Sequence, residues 1–376
     1  MNRRGLAVKT STTKHGKILE QLQEEFTSGL YQPGDRLPAD AEFVARFHVS
    51  RPTVAKALQE LERRGLVVRR PGSGTFIRET GDAVEGEKLF GLLIPGLGET
   101  EIFEPICAEM ARLAHASHHS LLWGNSPSRA ANDLGSAALQ LCKQYIKRKV
   151  DGVFFAPLEL TRDKDQVNQQ IIKALDDSRT PVILLDRDYL PYPRRSGHDL
   201  VGIDNRRIGF AVTEHLFDRG CQHVVFCARP HSASTVDARS AGFAESVLHH
   251  TGTFDTHQVQ RIDPENLEQV GRLVKKVNPD GVVCGNDMTA AQLMRTLDSL
   301  GVRVPDDLRV TGVDDVKYAE LLRVPLTTMH QHCEAIGESA FRAMLDRIER
   351  PDAPAREILL DCKLVARDST SSPKPR

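Results

Sequence analysis

The chain has 376 residues, which is enough for two or three domains that each bury a core. Its net charge is only −1, but residues 1–78 carry 14 Lys and Arg against 8 Asp and Glu, so a basic N-terminal part precedes an acidic remainder. No apolar run approaches the roughly 18 residues of a membrane span, and the N-terminus lacks the apolar region of a secretory signal. These features argue against a membrane or secreted protein, and we expect a cytoplasmic one.

The first 78 residues have the pattern of three helices followed by two short strands. Apolar residues spaced by four predict a first helix over about 14–28, and a second helix follows a Pro-Gly turn at about 39–47. Ser50 is a good N-cap for a third helix. The apolar stripe of that helix consists of Val54, Ala57, Leu58 and Leu61. Two short strands, 66–68 and 75–77, then flank a glycine-rich turn.

Basic and polar side chains lie on the face of the third helix that is opposite its apolar stripe. Pro52 and Lys56 are on that face, and Arg51 and Thr53 flank it in the first turn. Helices and strands in this order form a winged helix-turn-helix, whose exposed helix fits the major groove while arginines and amides hold phosphates. The pattern therefore predicts binding to double-stranded DNA. The alternative is a charged surface helix beside an ordinary hairpin.

Several segments of this part resemble the GntR family of bacterial repressors. The resemblance is carried by residues 29–40, 49–54 and 70–76, with the spacing intact. The resemblance implies operator contacts by six residues: Arg36, Ser50, Arg51, Thr53, Arg70 and Gly72. The helical pattern adds Pro52 and Lys56 to these predicted contacts. One departure is Ala55, which stands where the family usually has arginine. Because alanine cannot donate a hydrogen bond, we expect a different base preference.

The rest of the chain alternates short apolar runs with amphipathic stretches. Residues 79–87 come first, and their two glycines and four acidic residues predict a flexible linker. Strands are predicted at 89–94, 120–123, 152–156, 182–186, 200–203, 223–227, 281–284 and 309–313. Helices are predicted at 105–116, 137–147, 166–176, 208–219 and 289–300. Alternating strands and helices indicate parallel sheets in two lobes, with a ligand cleft between them.

An enzyme on such a sheet is an alternative. The segment Pro95–Gly98 suggests a dinucleotide loop, but Glu101 stands where the third glycine would be. His115, His118 and His119 lack nearby cysteines or carboxylates at metal-ligand spacing. No nucleophile, base and orienting residue can be assembled from the sequence. We therefore expect no cofactor and no metal, and the seven cysteines, which form no C-x-x-C pair, are expected to be buried thiols.

Residues 88–370 look like the effector domain of the LacI/GalR family, which has the periplasmic-binding-protein fold. The matching segments are 204–205, 234–243, 285–288, 313–315, 325–331 and 365–370. The resemblance implies a small-molecule effector, a sugar or less often a purine. It implies contacts to that effector by Arg239, Asn286, Asp314 and Gln331, and the end of a predicted strand adds Asp186. For Asp186 the alternative is an ion pair with Arg187.

The implied effector residues suit a sugar chemically. Arg239 offers a rigid fork of donors for neighbouring hydroxyls, and Asp314 can accept hydrogen bonds from two hydroxyls. Asn286 can both donate and accept. Asp287 and Asp315 are expected instead to cap helices or to hold loops.

The sequence thus predicts an N-terminal winged helix-turn-helix (α+β; 1–78), a linker (79–87), a two-lobed α/β periplasmic-binding-protein-like domain (88–370) and a disordered tail (371–376). This combination is similar to that of bacterial arabinose repressors. We expect a homodimeric repressor that binds a palindromic operator and is released by a sugar, with no membrane partner. An activator, a repressor that needs its ligand, and a sugar-binding or sugar-converting protein remain alternatives.

Overall fold

The computed structural model divides into two compact units, an N-terminal unit (residues 1–86) and a C-terminal unit (residues 87–376). The structure describes residues 22, 25, 31, 35–47, 49–63, 67–70, 74–77, 86–95, 101–124, 134–191 and 194–371. Most of the predicted first helix and linker, and the tail after residue 371, lie outside the described residues. Among the helices in these ranges, none is long and apolar enough to cross a membrane.

The described part of the N-terminal unit has the predicted order of helices and strands. The elements are α1 (Asp40–Phe47), α2 (Arg51–Arg63), β1 (Val67–Arg70) and β2 (Gly74–Ile77). The two strands are antiparallel, and their ladder runs further than predicted, to the pair of Arg70 and Gly74. The core consists of Leu22, Leu37, Phe43, Val54, Ala57, Leu58, Leu61 and Val67. The predicted apolar stripe of α2 is therefore the side that packs inward.

The C-terminal unit contains two parallel sheets and one antiparallel ribbon. Its strands are β3 (Leu89–Leu93), β4 (Ser120–Trp123), β5 (Gly152–Phe155), β6 (Val182–Leu185), β7 (Asp199–Ile203), β8 (Val224–Ala228), β9 (Val259–Arg261), β10 (Gly281–Cys284), β11 (Arg309–Thr311), β12 (Thr328–Gln331), β13 (Glu357–Leu360) and β14 (Cys362–Val365). The six-stranded sheet has the order β13-β7-β6-β5-β3-β4, and the four-stranded sheet has the order β11-β10-β8-β9. Strands β12 and β14 form the ribbon. Each parallel sheet is the centre of one lobe. Parallel sheets are normally covered by helices on both faces, which buries the sheet in the interior.

Helices connect most of these strands. They are α3 (Phe103–Ala116), α4 (Leu134–Lys147), α5 (Lys164–Asp177), α6 (Asn205–Asp218), α7 (Ser234–Thr251), α8 (Leu267–Arg272), α9 (Asp287–Ser299), α10 (Lys317–Leu321) and α11 (Cys333–Glu349). The five predicted helices are present but begin two or three residues earlier than expected. A polar first turn explains the difference at α6: Asp204 caps the helix by accepting from the amide of Arg207, ahead of the first apolar residue, Ile208.

Four strands, β9, β12, β13 and β14, were not predicted as strands. Each has only three or four residues, and β13 alternates exposed and half-buried residues, so none makes an apolar run. Strand β13 returns the chain to the edge of the first sheet, beside β7. Strand β12 follows the second sheet in the sequence and pairs with β14, which follows β13. The chain therefore passes between the two lobes three times, after β7, after β12 and after β13.

Six of the seven cysteines are buried and Cys362 is half-buried, all as free thiols. This confirms the expectation of buried thiols. With the two lobes and the winged helix-turn-helix, the predicted fold class is confirmed.

Candidate DNA-binding surface and effector cleft

The first turn of α2 presents the predicted DNA-contacting side chains to solvent. Ser50, Arg51, Pro52 and Lys56 are exposed, and Thr53 is half-buried. The Oγ of Ser50 lies 2.8 Å from the Oγ1 of Thr53, so the two hydroxyls hold each other at the start of the helix. No acidic residue occurs in this first turn. The helix N-terminus and the nearby cations therefore offer a site for the negative charge of a phosphate.

Arg36 lies against the wing, which is the two-stranded ribbon of β1 and β2. Arg36 forms an antiparallel β-bridge with Phe76, and the amide of Leu37 donates to the carbonyl of Thr75 over 2.8 Å. Gly74 has a φ of +116°, and a Cβ there would lie 2.8 Å from the Nε of Arg36. The positive φ favours glycine at this position, and the missing Cβ leaves room for the guanidinium to lie over the strand. The side chain of Arg70 and all of Gly72 are outside the described part, so their contacts with DNA remain predictions.

The cleft between the two lobes collects the charged side chains that follow the parallel strands. Asp186 and Arg187 follow β6 in the first lobe, and Asp314 follows β11 in the second. Arg239 projects from α7, and Gln331 ends β12. Because strands of both sheets end here, side chains distant in sequence converge in one place.

Arg239 is held in a fixed orientation and is only 4% exposed. Its Nε donates to the Oδ1 of Asn205 (2.8 Å), and its Nη1 donates to the carbonyl of Gly285 (2.6 Å). The Nη2 lies 3.8 Å from the Oδ1 of Asp314. The guanidinium therefore keeps donors for a ligand on the side that faces the carboxylate.

Asp314 has a strained backbone, and its carboxylate is only 11% exposed. Its φ is +125°, in a region that residues other than glycine rarely adopt, which is typical of functional sites. Gln331 donates to its Oδ1 over 2.7 Å. Burial raises the pKa of Asp314 well above its usual value, although Arg239 opposes that shift. A buried carboxylate with few donors is well suited to accept hydrogen bonds from ligand hydroxyls.

Asp186 and Arg187 form the opposite wall. Asp186 also has a positive φ, +68°, and burial raises the pKa of its carboxyl. The Nη1 of Arg187 lies 3.5 Å from Asp186 and 2.7 Å from the Oε1 of Glu159. The buried Nε of Arg187 has no hydrogen-bond partner among the described residues. Asp186 therefore has the ion pair that was its alternative, while Arg187 keeps a donor that a ligand could satisfy.

Asn286 has a narrower role than the sequence suggested. Its Oδ1 caps α9 by accepting from both the amide (2.9 Å) and the hydroxyl (2.7 Å) of Thr289. Both lone pairs of that oxygen are committed, so only the amide nitrogen remains for a ligand. The expectation that Asn286 both donates and accepts is therefore corrected to a donor.

Asp287 and Asp315 hold loops, as expected. Asp287 accepts from the hydroxyl of Thr328 (2.6 Å) and from the amide of Val316 (3.1 Å), and burial raises its pKa to about 6. Asp315 accepts from Arg367 over 2.7 Å. These contacts fix the loop that carries Asp314.

The sequence reasoning missed three residues of the cleft: Glu159, Arg187 and Asn205. A usable signal existed for two of them. Arg187 directly follows Asp186 at a strand end, and Asn205 lies in the first matched segment of the LacI-like part. Glu159 follows β5 in a loop without any motif, and only the folded contacts identify it.

Two glycines set the position of Arg239. A Cβ on Gly209 of α6 would lie 1.9 Å from the carbonyl oxygen of Arg239, and a Cβ on Gly242 of α7 would lie 1.9 Å from that of Arg206. The backbones of α6 and α7 therefore touch, and no larger residue fits at either position. This contact places the α7 side chain over Asn205, at the start of α6.

Comparisons with known proteins agree with this architecture. The family model of bacterial regulatory proteins of the gntR family matches residues 14–77, and that of the periplasmic binding protein-like domain matches residues 213–370. The chain joins a gntR-type DNA-binding domain to a periplasmic-binding-protein-like domain. The second match excludes most of the first lobe, and the segments that carry the sequence resemblance also lie after residue 203.

Relatives of the same two-domain length exist. The arabinose metabolism transcriptional repressor of Halalkalibacterium halodurans is 25% identical over 96% of this chain and 98% of its own. The repressor of the same name from Geobacillus stearothermophilus is 24% identical over 95% of this chain and 97% of its own. A LacI family transcriptional regulator from Enterococcus faecalis V583, solved with bound ribose, superposes with a TM-score of 0.61 at 25% identity, covering 76% of this chain and 100% of that one. These relatives are transcriptional regulators and not enzymes.

Replacing Gly209 by alanine tests the contact that positions Arg239 in the periplasmic-binding-protein-like domain. We expect Gly209→Ala to lower the free energy of unfolding by about 1–3 kcal/mol, because the two helices must separate. Urea denaturation measures it. The control is Gly271→Ala in α8, where a Cβ would meet no atom within 4 Å, so stability should be unchanged or rise by up to about 1 kcal/mol. Equal unfolding midpoints for the Gly209 variant and the parent would refute the close contact.

Proposed function

We propose that this protein is a transcriptional repressor that binds operator DNA through α2 and the wing, and is released by a small sugar bound in the cleft. The observation that carries the proposal is the pairing of two sites in one chain. An exposed, basic helix start lies in one unit, and a cleft of buried carboxylates and guanidinium groups lies in the other. Its work on operator DNA would place it in the cytoplasm.

The chemistry of the cleft favours a polyhydroxylated, uncharged ligand. Asp314 and Asp186 offer acceptors, whereas Arg239, Arg187 and the amide of Asn286 offer donors. Sugar hydroxyls can donate and accept at once, so they can satisfy both kinds of group. The relatives named for arabinose metabolism and the structure with bound ribose support the same ligand class for this chain.

The ligand acts by stabilising one arrangement of the lobes. A sugar that contacts Asp186 in the first lobe and Asp314 in the second favours the closed cleft by its differential affinity for that form. The polar composition of residues 79–87 does not suit a hinge helix, so the signal would reach the DNA-binding unit through the spacing of its attachment points. We expect a coupling free energy in the usual range of about 1–3 kcal/mol.

We further propose that the repressor is a homodimer held by the second lobe. A groove of about 550 Å³ runs between α9 and α10, with apolar walls formed by Met288, Ala291, Met294, Leu322 and Val324. Leu321, next to this groove in α10, is 81% exposed. The rim carries both signs of charge, including Arg295, Arg323, Glu265 and Asp298, so the surface can complement a second copy of itself about a twofold axis. A twofold dimer would match the symmetry of a palindromic operator.

The DNA-binding role predicts a specific effect of Arg51→Ala. The variant should bind promoter DNA from upstream of its own gene about 5–150 times more weakly, because a bidentate base contact is worth about 1–3 kcal/mol. Fluorescence anisotropy with labelled duplex measures the loss, and Arg272→Ala on the surface of α8 is the matched control. An unchanged affinity of the Arg51 variant would show that α2 is not the recognition helix.

The effector role predicts that Asp314→Ala separates the two activities. The variant should retain full operator affinity but lose the thermal stabilisation that a bound sugar gives, because its best acceptor is gone. A thermal-shift assay with a panel of pentoses and hexoses measures this, with Asp177→Ala on the outer surface of α5 as control. If the Asp314 variant is stabilised by the same sugar to the same degree as the parent, the cleft is not the effector site.

The dimer proposal predicts that Leu321→Asp yields monomers. A charge in the centre of an apolar interface remains unpaired on both sides of the twofold axis, so association should weaken at least about tenfold. Sedimentation velocity across a concentration series measures it. Leu248→Asp in α7, which is 50% exposed and away from the groove, should leave the dimer intact. A Leu321 variant that is as dimeric as the parent would move the interface elsewhere.

A further inference from the structure

Two loops, one from each lobe, meet across the cleft. One follows β5 in the first lobe and the other follows β8 in the second. The amide of Leu160 donates to the carbonyl of His231 over 2.8 Å, and the Nζ of Lys164 donates to the carbonyl of Ser232 over 2.8 Å. These hydrogen bonds join the lobes without any ligand group.

Both ends of the backbone contact have unusual conformations. Leu160 has a φ of +61° and His231 has a φ of +60°, although neither is a glycine. Such conformations cost of order 1 kcal/mol or more each, and they persist where surrounding contacts fix them. Two left-handed residues bonded to each other indicate that the loops are shaped for this contact.

Glu159 connects this contact to the effector cleft. Its Oε1 lies 2.7 Å from the Nη1 of Arg187, and its Oε2 accepts from the amide of Ala233 over 3.3 Å. Ala233 is the N-cap residue of α7, the 18-residue helix that carries Arg239. A carboxylate at a helix N-terminus is favoured by the helix dipole. The side chain of Glu159 thus contacts Arg187 directly and also contacts the start of α7, the helix that carries Arg239.

The charge of Glu159 is stabilised in place. Burial opposes ionisation, but the charge and hydrogen bond of Arg187 and the amide of Ala233 keep the pKa of Glu159 below its usual value. Without this carboxylate, the buried Arg187 would retain only the longer contact to Asp186 among the described carboxylates. Its position therefore depends on Glu159.

We propose that Glu159 is a positioning residue that latches the two lobes in the closed arrangement and orients Arg187 before any effector binds. The latch consists of Glu159, Leu160 and Lys164 on the first lobe and residues 231–233 on the second. It goes beyond the proposed function, because it concerns the protein without sugar and without DNA. A latch of this kind raises the fraction of protein molecules whose cleft is competent to bind, and so raises the apparent affinity for an effector.

Hydrogen exchange of the full chain, without sugar or DNA, tests the latch. The amide of Leu160 reports closure directly, because its acceptor belongs to the other lobe. We expect this amide to be protected in the parent and to exchange at least about tenfold faster in Glu159→Ala, the factor expected for the loss of a hydrogen bond to a charged group. Glu159→Gln keeps an acceptor for Ala233 and should give a smaller acceleration. Lys164→Met removes one hydrogen bond at a half-buried side chain and should also give a smaller one.

Two comparisons separate the latch from a general loss of stability. The amide of Val153, which donates to Pro181 within the first lobe, should exchange at the parental rate in every variant. Glu268→Ala, at an 82% exposed side chain of α8, should change neither amide. The proposal is overturned if the Leu160 amide is unprotected in the parent, or if it exchanges equally fast in the parent and in Glu159→Ala. It is also overturned if the amides of Val153 and Leu160 accelerate together in all three latch variants.

Discussion

The constraint on which the C-terminal unit depends is the removal of five ionisable side chains from water in one cleft. Asp186, Asp314 and Glu159 supply negative charge, and Arg187 and Arg239 supply positive charge. Isolated charges are costly to bury, so each must find a partner, and the contacts among these five groups come from both lobes. The compensation is incomplete, because one arginine donor is unpartnered among the described residues and burial raises the pKa of the two aspartates. In the proposed function, a ligand rich in hydroxyls would supply the missing hydrogen-bond partners.

This network in turn requires close packing of backbone. The contact of α6 and α7 at Gly209 and Gly242 leaves no room for side chains, and it brings Asn205 under the guanidinium of Arg239. The loop that carries Asp314 is held at its base by Asp287. Positive φ values occur at the two cleft aspartates and at both ends of the latch, so these parts of the cleft carry backbone strain.

Prediction from the sequence succeeded best for elements whose apolar periodicity coincides with the face that is buried. The α2 stripe has helical spacing and packs inward, and the eight predicted apolar runs form strands of the two parallel sheets. Arg239 and Asp314 were found by resemblance, and the structure brings them together. The strands β12, β13 and β14 could not be predicted, since each has four residues that include polar side chains and so makes no apolar run. Glu159 was equally hidden, because its role arises from a contact with Ala233, 74 residues away in sequence, that no local pattern encodes.

In the proposed function, a ligand in the cleft and operator DNA on α2 change each other's binding affinity. The most direct test is to measure the affinity for one sugar, found by thermal shift, with and without saturating operator, and the affinity for operator with and without that sugar. We expect each ligand to weaken the binding of the other by the same factor, roughly 5–150-fold. A sugar that binds in the cleft and leaves operator affinity unchanged would contradict it.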